Sequence, residues 1–120
     1  MLLSHYMAKT KKPKPKFLTF KVIPKVVKRP RAERKIVQVR GTVKTTSNKQ
    51  VVDITLIPPK GKILRSTARY LTGRRSDVVS FYWPYPIHKH SELYTYTVKG
   101  KLRENRNQKR TETFRVTDKK

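Results

Sequence analysis

The chain has 120 residues, 31 Lys and Arg against 7 Asp and Glu for a formal net charge of +24, and no cysteine. That length suits one domain with a single core and is too short for two well-buried ones. The missing cysteines exclude a disulfide framework, a thiolate metal site and a cysteine nucleophile, and fit an intracellular setting. A field of this size favours polyanionic partners and is silent about fold.

The first residues, MLLSHYMAKTKK, lack the charged-then-apolar order of a secretory signal, and Met7 offers a second place for translation to begin. No apolar run approaches the roughly 20 residues of a membrane-spanning helix. From Lys9 to Arg34 the chain reads KTKKPKPKFLTFKVIPKVVKRPRAER, with prolines 13, 15, 24 and 30 spaced too closely for a helix. Residues 1–34 are therefore expected to form a basic Lys/Pro-rich tail, extended or disordered, in which FLTFKVI can supply a short edge strand. Residues 35–120 form the expected domain.

From Ile36 onward the pattern has period two. IVQVRGTV alternates Val37 and Val39, TTSNK is a polar turn, and QVVDITLI places Val52, Ile54 and Leu56 on one face. PPKGK is a turn in which Gly61 is free to take positive φ. ILRSTARYL fits either a short helix or a strand, and Gly73 ends it early enough to favour the strand. After the TGRRSD turn come VVSFYW, a proline-bounded corner PYP, LYTYTVKGKL, the polar loop RENRNQKR with its basic tip, and TETFRV, the last two runs reading as an antiparallel hairpin. About six or seven short strands with no amphipathic helix predict an all-β antiparallel sandwich with an extended basic N-terminal tail.

The succession VRGTV, VVDITLIPPKG, VSFYW, LYTYTVKG and ETFRV, covering Lys35 to Val116, resembles cystine-free immunoglobulin-like modules of the bacterial, archaeal or fibronectin type III kind. The resemblance implies an immunoglobulin-like sandwich and no particular function, because such folds host many. The chain departs from those modules in its strong positive charge.

Residues 80–100, SFYWPYPIHKHSELYTYTVKG, hold four of the six tyrosines, the single tryptophan and two of the three histidines. Alternation puts Phe81 and Trp83 on one face with Tyr82 opposite, and Tyr94, Tyr96 and Val98 together, the tyrosines packing inward or at the rim with a hydroxyl reaching the preceding loop, as in a tyrosine corner. The stretch thus reads chiefly as two strands and the corner between them, with base stacking by Tyr82 or Tyr85 as the alternative. His88 and His90, with Glu92, have the donor types of a zinc site, but only His5 could add a fourth ligand, so they read as loop histidines and no metal is assigned.

The expected chemistry lies in the cations. Lys9, Lys11, Lys12, Lys14, Lys16, Arg29, Arg31 and Arg34 in the tail, and Arg65, Arg69, Arg74, Arg75, Arg103, Arg106, Lys109 and Arg110 in the body, are the candidate nucleic-acid ligands, with Arg40 beside them. Each can contact phosphate by charge-assisted hydrogen bonds with counterion release. No reading helix, zinc-finger spacing or RNP-like aromatic pair argues for sequence readout, so RNA or DNA is expected to be held by its backbone. The seven acids are scattered, and no nucleophile elbow, phosphate loop or nucleotide-binding glycine motif occurs. The resulting expectation is a cofactor-free, non-catalytic component of a ribosomal or other nucleoprotein assembly, in the cytoplasm or nucleoid, with other proteins of that assembly as further partners. The alternative is an immunoglobulin-like structural or adhesive module of a virion, filament or cell envelope that binds an acidic partner.

Overall fold

The computed structural model describes residues 14–46, 50–61, 65–72 and 77–118. These form eight strands and no helix: β1 (Lys16–Ile23), β2 (Val26–Lys28), β3 (Lys35–Lys44), β4 (Gln50–Ile57), β5 (Arg65–Leu71), β6 (Val78–Ile87), β7 (Tyr94–Leu102) and β8 (Asn105–Thr117). A three-stranded sheet ordered β1-β3-β6 faces a five-stranded sheet ordered β2-β8-β7-β4-β5. The all-β sandwich expected from the period-two pattern is the observed fold. It has eight strands where six or seven were expected, and its pairings are antiparallel except for β2 with β8.

The extra strands come from the segment expected to be a tail. In β1, Phe17, Phe20 and Val22 are buried, and a bulge between Phe17 and Thr19 resets the alternation so that all three reach the core. Pro24 and Pro30 bracket β2, which is only three residues long but buries Val27 and lies parallel to β8. Its ends are tied by Arg115 N donating to Lys25 O at 2.8 Å and Arg29 N to Thr117 O at 2.9 Å. A cis Ile23–Pro24 peptide lies where the chain passes from one sheet to the other. The segment is thus woven into both sheets from Lys16 onward, and the FLTFKVI strand is real.

Two aromatic clusters fill the core. Phe17, Phe20 and Phe81 meet with centroids 5.7–6.2 Å apart, and they fit because Gly41 and Gly100 have no side chains. A Cβ on Gly41 would stand 2.4 Å from the Phe81 ring and 2.5 Å from Thr19 O, and one on Gly100 would stand 2.5 Å from Phe20. At the other end Tyr96 stacks on Phe114 at 4.8 Å, with Tyr85 and Trp83 beside them.

The local readings fare unevenly. RSTARYL is a strand, and Gly61 takes φ 66° in a turn closed by its own N–H on Pro58 O. The PYP corner is instead the end of β6, an edge strand. Arg69 Nε donates to Tyr82 O at 2.9 Å on the free side of that strand, and Pro84 and Pro86 share its phase, so the missing N–H groups fall on an edge that needs none. RENRNQKR is mostly strand too: β7 and β8 pair across it, with an irregularity between Lys101 and Leu102. Its amides bridge the sheets, Asn105 Nδ2 donating to Pro15 O at 2.9 Å and Gln108 Oε1 accepting from Phe17 N at 3.0 Å.

Candidate nucleic-acid interface

The outward positions of β1, β3 and β6 fall into cross-strand rows fixed by register. Lys16, Lys44 and Val78 form one row. Thr19, Thr42 and Ser80 form the next, then Lys21, Arg40 and Tyr82, then Ile23, Gln38 and Pro84. Successive rows on β3 and β6 lie two residues apart, about 7 Å. Four cations therefore share one face, and none of the three strands contains an Asp or Glu. Asp77, just before β6, is the acid nearest in sequence, at the Lys44 end, where its carbonyl accepts the Thr45 N–H. Among the described residues, five of the eight exposed large apolar side chains belong to these strands: Leu18, Ile23, Ile36, Val78 and Tyr82. A face that is both cationic and apolar is poorly suited to plain solvation.

The outer face of the five-stranded sheet is also basic but mixed. Lys99, Lys101, Lys109 and Arg115 stand among threonines, with Asp53 in the row of Lys101 and Lys109. Asp53 is gripped by Arg103 through two contacts of 2.6 and 3.1 Å, which hold the guanidinium more firmly in its charged form. At the rim Lys25 pairs with Glu112.

The cations singled out by sequence divide into three sets. Lys9, Lys11, Lys12, Arg74 and Arg75 lie outside the described residues. Arg29, Arg69, Arg103 and Arg110 are engaged within the protein. Arg29 donates to Ser91 O at 3.1 Å and reaches Asp118, Arg69 caps the β6 edge, and Arg110 lies 5.5 Å over the Phe17 ring. Lys14, Lys16, Arg31, Arg34, Arg65, Arg106 and Lys109 are exposed but scattered, and Lys16 alone of them lies in the acid-free rows. Of the residues on this face, sequence points to Lys16 and Arg40 as phosphate ligands and to Tyr82 as the alternative stacking residue, and it passes over Lys21 and Lys44. Their local signal was a place opposite the buried positions of an alternating strand, and only the register of three strands distant in sequence brings them together.

The aromatic stretch resolves as two strands and a turn. Phe81 is buried, Trp83 and Tyr85 pack against the core, and Tyr82 points outward with 46% exposure. Tyr85 therefore stands in the core cluster, away from any base. Tyr96 Oη donates to Glu92 O at 2.7 Å, the expected corner, and burial pushes its pKa up to about 12. Tyr94 departs from the expected shared face: its φ of 88° breaks the alternation, and its ring is exposed. In the turn, His88 Nδ1 accepts from His90 N at 3.3 Å, and Glu92 Oε1 from Lys60 N at 3.1 Å. Among the described residues no three His, Cys, Asp or Glu side chains cluster as metal ligands, and no helix is long and apolar enough to cross a membrane.

No family model matches the chain, and neither does any curated protein. Among solved structures, the chain is similar to the Pseudomonas fluorescens alkylpurine DNA glycosylase AlkC bound to DNA containing an abasic site analog. The TM-score is 0.57 at 16% identity, and the match covers 86% of this chain but 30% of that one. At that identity the likeness is one of fold. It nonetheless overturns the expectation of a non-catalytic protein, because a stretch of an enzyme carries this fold, so the fold is no argument against catalysis.

Proposed function

We propose that the protein binds nucleic acid, with the outer face of β1, β3 and β6 lying against the phosphate backbone. The observation that carries this reading is the acid-free face on which Lys16, Lys21, Arg40 and Lys44 meet exposed apolar side chains. Cations so arranged neutralise phosphates and release the counterions condensed on the nucleic acid. The net charge of +24 supports the same partner, since such self-repulsion is relieved on a polyanion. The glycosylase of similar fold, itself bound to DNA, is compatible with it.

On this reading the protein belongs to a nucleoprotein particle or nucleoid, and the Lys/Pro-rich N-terminal residues add phosphate contacts. The strand order, with β1-β3-β6 opposite β8-β7-β4-β5 and a tyrosine corner before β7, supports the immunoglobulin-like relationship as part of the same proposal. Chromatography on immobilised single- and double-stranded DNA and RNA tests it. Retention at low salt with release as salt rises is expected, and absence of retention at low salt overturns it.

A further inference from the structure

We propose that the β1-β3-β6 face takes a single-stranded nucleic acid, with Tyr82 as the platform on which a base stacks and Lys21 and Arg40 as the cations beside it. This rests on the nucleic-acid reading above and adds the strandedness of the ligand and the residue that selects it.

Three observations converge on Tyr82. It lies in the same row as Lys21 and Arg40, so ring, guanidinium and ammonium sit on adjacent strands, with neighbouring strands about 4.8 Å apart. Its strand is zipped to β3 along one side, where Tyr82 lies opposite Arg40, and on the free side Arg69 donates a 2.9 Å hydrogen bond to its carbonyl, so the ring projects from a fixed base. The row forms part of a depression of about 570 Å³ lined by Thr19, Lys21, Gln38, Arg40, Ser80 and Tyr82, within the range that accommodates a small ligand such as one nucleotide. Thr19 and Thr42 contact each other through their hydroxyls at 2.9 Å and, with Ser80, form a polar row alongside.

The chemistry favours a single strand over a duplex. An aromatic ring on a shallow sheet face can stack only on a base whose π-face is free, and in a duplex that face is covered by the neighbouring pairs. Cations alone would serve either form equally, because both present phosphates. The exposed ring among the cations therefore distinguishes the two. Every base has a π-face, so the site is tolerant of sequence.

The test is fluorescence anisotropy at fixed low salt with labelled oligothymidylate, oligouridylate and a mixed-sequence duplex of the same length. The protein is the full chain, the Tyr82→Leu variant or the Tyr82→Phe variant. Tyr82→Leu is expected to weaken both single strands at least fivefold and the duplex less than twofold, whereas Tyr82→Phe, which keeps the ring, stays within twofold of the parent on all three. Tyr82→Thr, another good strand former, replaces the leucine variant if circular dichroism shows misfolding. The proposal is overturned if loss of the ring changes single-strand binding less than twofold, if single strand and duplex weaken together, or if the phenylalanine variant is as weak as the leucine one. Should single-strand binding survive loss of the ring but fall in a Lys21→Gln/Arg40→Gln variant, only the stacking site fails and the nucleic-acid reading stands. Should the parent bind none of the three, both fail.

Discussion

Neutralising Lys21 and Arg40 together isolates what the three-stranded face contributes. Both residues are exposed and stand on outward strand positions, so Lys21→Gln/Arg40→Gln should change stability by no more than about 0.5 kcal/mol. Each cation that contacts a phosphate of a single strand adds about 0.7 to the steepness of log K against log salt. With four cations on the face the site supplies a slope of about −2.8, and removing two should flatten the total by about 1.4. Between about 50 and 200 mM salt the parent would then lose roughly sevenfold more affinity than the variant. Lys99→Gln/Lys101→Gln, which removes the same charge from the outer face of the five-stranded sheet, is the control and should flatten the slope far less. Anisotropy titrations at several salt concentrations give both slopes. Equal flattening by the two double variants would refute the assignment to one face and reduce the charge to a diffuse field.

Further predictions concern the scaffold beneath that face. Gly41→Ala should cost about 1–3 kcal/mol in urea unfolding, since the added methyl meets the Phe81 ring and the Thr19 carbonyl, and the carbonyl is backbone that cannot swing aside. Phe114→Ala, which removes a fully buried ring stacked on Tyr96, should cost about 3–5 kcal/mol by the same measurement. Tyr96→Phe should cost roughly 1–2 kcal/mol at neutral pH through loss of the bond to Glu92 O. It also carries a pH signature. The folded state holds the Tyr96 proton up to about pH 12, and an unfolded tyrosine releases it near 10, so the folded state binds more protons between those values. The contribution is fully present below pH 10 and is lost as pH rises toward 12. The stability gap between parent and Tyr96→Phe should therefore narrow over that window, and a constant gap would contradict the origin assigned to it.

How much of this was legible in the sequence depended on whether a signal was local. Alternation in IVQVRGTV, QVVDITLI and LYTYTVKGKL identifies buried strands because one face of each sheet packs on the core, and PPKG identifies its turn because Gly61 adopts positive φ. The N-terminal strands were obscured by their prolines and by the bulge in β1, which places Phe17 and Phe20 three apart yet on the same face. RENRNQKR looked like a loop because its amides bond across to Pro15 and Phe17, a role no local pattern reveals. The candidate site depended on register throughout. Lys21, Arg40 and Tyr82 are far apart in sequence, and Arg29, Arg69 and Arg103 look just as available until their carbonyl and carboxylate partners are placed.

The central claim, that the acid-free face of β1, β3 and β6 is where nucleic acid sits, is tested most directly by following backbone amide shifts of the labelled protein during titration with an unlabelled oligonucleotide. The account predicts that the largest shifts fall on Thr19, Lys21, Arg40, Thr42, Ser80 and Tyr82, with the outer positions of β4, β7 and β8 little changed. Shifts centred instead on Lys99, Lys101 and Lys109, or spread evenly over both sheets, would contradict it.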